Sequence, residues 1–400
     1  MKITINSKSF VEAVSWVTKS YDTKNDRSYI ALSIDSEGEG VLSHANANSY
    51  MKSNYSVVSV DFDGDDQDNA VFSVDGAYLK NLANAIGSSG GDFVISKKLK
   101  AERTSLDVKT NLGKFTIPLL DQTVASEPEF VEIGEVDDNE FFDSLTRIAK
   151  LCDSDNSGSS SFIGSVDFGF DTEEKTVKMF ATDRYALGEI SLDFSPSEEE
   201  DDTVDEIVSK HILLPSNSAN IVSSTKGINT SITLIAEDSG DGTLRFGYSF
   251  PDGRIALFSL VNAATFPHTK AMKDKALKEV EHEVTLETSD LKNAIRTISS
   301  LSPSEDDIYF TISSKGLVVT DSTKSNSLKV DHDEIDYDND EDYRARFVRS
   351  VINEAFSPIS TNKMKLKWGS DSMAFVLEPI TEDGESVNNV FVMAVIGKVN

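Results

Sequence analysis

Along this chain the order strand, helix, then a run of short strands occurs three times, and a recurrence of that kind leaves few architectures open. In the first copy residues 2–6 alternate apolar and polar side chains as a strand does, and Ser7 is expected to cap a helix with the stripe Phe10, Val14 and Val17. Strand-like alternation follows at residues 29–34, 40–42, 53–60 and 70–74. Asp75 then caps a second helix through Leu79, Leu82, Ala83 and Ile86, and Asn111-Leu112-Gly113 turns the last hairpin. The second copy opens at residues 129–134, with a helix over 139–152 that turns Phe142, Leu145, Ile148, Ala149 and Cys152 inward. The third opens at 284–287, with a helix carrying Leu291, Ile295 and Ile298 and a later one carrying Phe347, Val348, Val351 and Ile352. Copies begin roughly 130 to 150 residues apart, far longer than a solenoid period. The expectation is an α+β chain of three equivalent domains, 1–122, 123–275 and 276–400, each with two helices and about eight strands. Such modules joined head to tail can close into a ring with sheets outside and helices inside, which pairs sheet edges that would otherwise be exposed.

Charge narrows the function classes. There are 68 acidic against 38 basic residues, a net charge of -30, which disfavours general attraction to nucleic acid or an anionic membrane but leaves room for a local basic face. No apolar run reaches membrane-spanning length and residues 1–6 lack a secretory signal pattern, so a cytoplasmic location and no membrane partner are expected. Cys152 is the single cysteine and sits on an apolar helical stripe, where it reads as core. Three acidic stretches, 61–69, 195–205 and 331–342, read as loops, and 270–281 reads as a charged linker.

The most unusual local stretch is Met179-Phe180-Ala181-Thr182-Asp183-Arg184-Tyr185-Ala186-Leu187-Gly188, a buried strand that breaks abruptly into charge. Taken alone it is a β-turn between sheet strands. Taken with the three matching domains, Phe266-Pro267, and the apolar ending Phe391-Val392-Met393-Ala394-Val395, it resembles the bacterial-type sliding clamp, the beta subunit of DNA polymerase III, over the whole chain. The resemblance implies a homodimeric ring that encircles double-stranded DNA without sequence preference and tethers the replicative polymerase as a processivity factor at the replication fork or nucleoid. Departures from the family are Ala186 where a basic residue usually precedes the leucine, Met393-Ala394-Val395 in place of a Met-Pro-Met style ending, and the long acidic loops. They suit a divergent, viral clamp.

Three sites follow as expectations. By resemblance, a peptide pocket for short linear motifs of the polymerase and the clamp loader is lined by Phe162, Thr182, Arg184, Tyr185, Leu187, Pro267, Met272, Val392, Met393 and Val395; the competing reading of Leu187, Met393 and Val395 is ordinary strand core. Placing the apolar helix stripes against the sheets leaves Arg147 and Lys150 on one free helix face, Lys292 and Arg296 on a second, and Arg344 and Arg349 on a third, with Arg27, Lys80 and Lys226 able to join them. These are the candidate DNA contacts, against the bland alternative of solvated helix faces. By family analogy Phe115 and Ile117 meet Ile298 and Leu301 across the dimer.

Catalysis and cofactors have little support. Asp153-Ser154-Asp155-Asn156-Ser157-Gly158 begins like a calcium loop but has Gly164 at the twelfth position, and Asp61-Phe62-Asp63-Gly64-Asp65 has Asp66 where glycine belongs. The histidines stand at no metal-ligand spacing, and no phosphate loop or nucleophile elbow occurs. No metal, no cofactor and no enzyme activity are expected. The alternative from another class is an acidic structural or assembly protein of repeated β-rich domains that never meets DNA.

Overall fold

Strand alternation over Lys2–Ile5 buries Ile3 and Ile5 completely, and Asn6 then starts the first helix. Its side-chain oxygen accepts the Ser9 amide at 3.0 Å, so the cap lies one residue before the expected Ser7, which is already helical. The computed structural model describes residues 1–21, 29–62, 69–100, 103–122, 124–153, 162–198, 202–209, 212–223, 231–238, 244–261, 269–303 and 307–398. Its helices there are α1 (Ser7–Val17), α2 (Gly76–Ser89), α3 (Asp138–Ile148), α4 (Asp202–Val208), α5 (Ser216–Ser223), α6 (Thr269–Lys278), α7 (Thr288–Leu301) and α8 (Arg349–Ala355). Among the described residues α1 packs with α2, α3 with α5, and α7 with α8. The chain is α+β, with the strand–helix–strand module repeated three times as its sequence periodicity requires.

Two compact units divide these elements. The first comprises residues 1–136, 197–204 and 229–260. Its main sheet runs in the order Val131–Asp137, Ser231–Asp238, Leu244–Ser249, Ile255–Ser259, Ser49–Asp61, Lys2–Ile5, Phe93–Lys100, Arg103–Thr110, Gly113–Pro118. Phe10 of α1 wedges against Phe93 and Tyr55, with ring centroids 5.1 and 5.3 Å away in edge-on geometry. Asp75 caps α2 as expected, accepting the Ala77 and Tyr78 amides at 2.9 and 3.0 Å.

The second unit comprises residues 137–196, 205–228 and 261–400. Its larger sheet orders Ile212–Pro215, Ser165–Asp171, Thr176–Thr182, Ala186–Asp193, Val390–Val395, Ala374–Ile380, Lys363–Trp368, His282–Glu287 and Glu334–Asp336. A smaller sheet orders Ser327–Val330, Gly316–Asp321, Ile308–Ser313, Tyr343–Phe347 and Gly397–Lys398. Between the two lies an aromatic core in which Phe310, Phe347, Trp368 and Phe375 approach to centroid distances of 4.7–6.2 Å. On the opposite face of the Lys363–Trp368 strand, Lys363, Lys365 and Lys367 pair with Asp333, Glu283 and Glu378. That face is kept wet by charge while its other side is kept dry by rings.

Several sequence expectations are corrected. The stretch read as a charged linker holds helix α6, and the second acidic stretch runs into α4; among their described side chains only Ala276 and Ile207 are buried, too few to mark a stripe. Phe347 ends a strand rather than joining the last helix, which starts at Arg349. Arg344 therefore sits on a strand, not a helix, because residues 343–347 alternate exposed Arg344 and Arg346 with buried Ala345 and Phe347. The acidic segment 63–68 and most of the calcium-like stretch after Asp153 lie outside the described residues. Among the described residues no cluster of three potential metal ligands occurs, and no helix is long and apolar enough to cross a membrane.

Cys152 lies 8% exposed beyond α3, and burial, with Asp183 nearby, pushes its thiol up to about 12. We expect a native thiol-titration assay near neutral pH to show no fast reaction and full reaction after denaturation. Rapid native labelling would contradict its placement in the core.

Candidate functional site

A hydroxyl and a carboxylate build the corner between Thr176–Thr182 and Ala186–Asp193. Thr182 Oγ1 donates to the Ala186 carbonyl at 2.6 Å and accepts the Arg184 amide at 3.1 Å. Asp183 Oδ1 accepts the amides of Tyr185 and Ala186 at 2.9 and 2.7 Å. With its backbone so held, Arg184 adopts φ 81°, a left-handed conformation that costs a non-glycine residue about 1 kcal/mol or more. Short polar side chains replace the backbone bonds that a tight turn removes, which is why this abrupt run of polar residues folds as it does.

The corner strand then pairs antiparallel with the C-terminal strand: Ala186 opposite Ala394, Leu187 opposite Met393, Glu189 opposite Phe391. The Val395 amide also donates to the Tyr185 carbonyl at 2.6 Å. On one face of this sheet Phe180, Leu187, Ala374, Val376, Phe391 and Met393 form an apolar cluster, with Val395 packed beside it and Ala276 of α6 lying over it. Leu187, Met393 and Val395, expected in one pocket, are thus brought together. Phe391, which sequence reasoning passed over, belongs with them, and the period-2 alternation of its strand could have found it.

Other expected pocket residues are placed elsewhere. Val392 is fully buried and absent from the cluster, because one residue's step along a strand turns its side chain to the opposite face. Ala186 is likewise buried, out of the cluster, so the missing basic side chain would not have pointed among these apolar groups. Tyr185 is half exposed and lines a cavity of about 600 Å³ with Lys150, Cys152, Asp183, Ser216 and Val348. Phe162 is half-buried in a 3-10 turn and outside the cluster, Arg184 is exposed at the corner, and Met272 is 41% exposed on α6 and outside the cluster. Pro267 lies outside the described residues.

A second feature is cationic. Lys150, Lys292, Arg296 and Arg349 line a groove of about 620 Å³ formed by the end of α3 with α7 and α8. Arg147 stands on the same helix end and donates to the Pro358 carbonyl at 2.7 Å and to Ser144 Oγ at 2.9 Å. Lys292 donates to the Ile359 carbonyl at 3.0 Å, and Arg349 to the Ser302 and Pro303 carbonyls at 3.1 and 2.8 Å. Burial lowers the Lys292 pKa, and the neighbouring charges of Lys150 and Arg147 lower it further. The cations therefore stand close enough to repel one another, while Glu354 also lines the groove and Asp143 and Glu140 act on Arg147. Among the described residues no carboxylate lies within ion-pair distance of these five side chains. Lys80 is exposed on α2 in the first unit, Arg344 is exposed on its strand, and Arg27 and Lys226 lie outside the described residues.

Solved structures of bacterial replication proteins match from end to end. A Helicobacter pylori beta clamp bound to a DNA ligase peptide is similar with a TM-score of 0.74 at 18% identity, over 100% of both chains. The fold is that of the beta sliding clamp. A Caulobacter crescentus pol III beta chain gives 0.76 at 14% identity, and the Pseudomonas aeruginosa DNA polymerase III subunit beta gives 0.77 at 12%, each again over 100% of both chains. No protein-family model and no curated protein sequence matches the chain.

On this clamp fold Gly113–Pro118 is an edge strand of the first unit's sheet, with Phe115 half-buried and Ile117 only 4% exposed. In the second unit Ile298 is buried within α7, whereas Leu301 at its end is 60% exposed.

Asp183 gives a test of the corner. Burial raises its pKa against the opposing pull of the Ala186 and Tyr185 amides, so its charge is penalised in the fold. That stability is greatest below the ordinary carboxylate value and declines as pH rises through the folded value. At pH 7, Asp183→Asn, which keeps the acceptor and drops the charge, should match or exceed wild type in thermal unfolding. Asp183→Ala should lose about 1–3 kcal/mol because two amides lose their acceptor. Equal destabilisation by both variants would contradict this role.

Proposed function

We propose that this chain is a DNA sliding clamp: three domains, divided near residues 122 and 275, that dimerise head to tail into a ring around duplex DNA and tether a polymerase without catalysing a reaction. The observation that carries the reading is the groove where Lys150, Lys292, Arg296 and Arg349 gather around a single carboxylate, Glu354, in a chain of net charge -30 with the clamp fold. An acidic surface repels DNA in general, so a concentrated positive helix face selects the one place where a duplex is tolerated. Sparse cations held by backbone carbonyls favour loose phosphate contact over base reading, which lets the ring slide. Persistence on DNA then comes from topology, with little need for affinity.

The apolar cluster around Leu187, Phe391 and Met393 serves as the groove for short linear motifs of the polymerase and the loader. In the dimer, Phe115 on the edge strand and Leu301 at the end of α7 supply the contact, while buried Ile117 and Ile298 support it from beneath. Work at the replication fork places the protein in the cytoplasm, with no membrane partner and no cofactor. An acidic assembly protein that ignores DNA would leave the cationic groove without a role.

Binding of a short linear duplex should weaken with salt, and Lys292→Ala combined with Arg296→Ala should lower the log–log salt slope by about two. An unchanged slope would remove these residues from the DNA contact. Phe115→Asp should convert dimers to monomers in native mass spectrometry; persistent dimers would overturn the interface assignment.

A further inference from the structure

Helix α6 covers a large apolar face with very little of its own surface. Ala276 is its one buried residue, and Val280 just beyond its end packs against the same cluster. Beneath them lie Phe180, Leu187, Val376, Phe391 and Met393, while Met272 and Leu277 on the helix remain 41% and 47% exposed. What fastens the helix is Lys273. Its Nζ stands 2.9 Å from Glu189 Oε1 and 5.0 Å from the centre of the Phe391 ring, and these two partners face each other across the strand pair. Past the helix the chain is pinned, since the Glu281 amide donates to the Trp368 carbonyl and the Ser370 amide to Glu281 Oε2, both at 2.9 Å.

The first unit shows what a well-filled cover looks like. There the face of Tyr50, Ile235, Ile255 and Leu257 is covered by Phe130, and Glu127 upstream of it reaches Lys52 at 2.7 Å. The cover brings an aromatic anchor as well as an ion pair. Helix α6 brings the ion pair with Ala276, and Val280 just past its end, in place of an aromatic anchor.

We propose that α6 is a displaceable cover over the partner groove, latched by Lys273 on Glu189 and Phe391, and that the groove's true occupant is a short linear segment with apolar anchors and one basic side chain. The proposal rests on reading this face as the partner groove. When the cover leaves, the Glu189 carboxylate remains among large apolar side chains and needs a cation to replace Lys273. The open face of Phe391 accepts the same cation. An acidic occupant would instead bring a second carboxylate beside the first. The incoming segment thus replaces Lys273 charge for charge and adds the apolar volume that Ala276 does not supply.

The test uses the full chain and two fluorescent hexapeptides with the same leucine and phenylalanine anchors, one carrying arginine and the other glutamate. In polarisation titrations wild type should prefer the arginine peptide, and Lys273→Ala should bind it about three- to five-fold more tightly, as expected for losing one half-buried ion pair from the closed state. Glu189→Gln, which loses both latch and selector, should bind the two peptides about equally. Hydrogen exchange of the α6 amides should be faster in Lys273→Ala than in wild type. Equal or weaker peptide binding by Lys273→Ala, or unchanged exchange, would overturn the latch while leaving the groove. A wild-type preference for the glutamate peptide would overturn the assigned occupant. No binding of either peptide to wild type or Lys273→Ala would overturn the groove reading and the cover with it.

Discussion

The antiparallel pairing of Ala186–Asp193 with Val390–Val395 decides to which face each side chain of these two strands points. A slip of one residue would exchange the two faces, burying Leu187 and Met393 among the helices and exposing Ala186 and Val392 instead. The helix-side face leaves no room for such a slip. A Cβ on Gly188 would meet the Leu151 and Ile148 side chains and come within 3.2 Å of Pro358. Because the Pro358 carbonyl also accepts Arg147, the close packing that fixes the register also helps position a cation. The apolar cluster and the cationic groove are therefore set by one sheet with two differently used sides.

Electrostatics gives the helix side its character. Lys292 and Arg349 are steered by carbonyls, each cationic side chain donating to acceptors at the ends of helices and turns. Neutral partners orient a cation without cancelling it, whereas carboxylates would do both. The contrast with Lys363, Lys365 and Lys367 is instructive, because those three lysines pair with carboxylates and serve the sheet's own solvation. Basic residues are few in this chain, and their partners decide which of them remain available to a phosphate.

Much of this was legible before the structure. Thr182 and Asp183 announced the corner because hydroxyl and carboxylate oxygens commonly replace backbone acceptors in tight turns, and the stripes of α1, α2, α3 and α7 carried large apolar residues at helical spacing. Helix α6 escaped because a single alanine is its buried face. Arg344 was misplaced because the apolar residues that end its strand run directly into those of α8, so one period masked another. Val392 was placed with Met393 by resemblance to the clamp family, whereas strand parity in this chain turns the two to opposite faces. Ile117 and Ile298 show a further limit: apolar periodicity marks what is buried, but it does not say whether the covering surface belongs to the same chain or to a partner.

A ring held on DNA by topology behaves differently on circles and on linear duplexes. Loaded by its cognate loader onto nicked circular DNA and washed at high salt, the protein should remain bound, and linearising the circle should release it within the time a ring takes to slide off an end. Retention that is equal on circular and linear DNA, or no retention on either, would contradict the central claim.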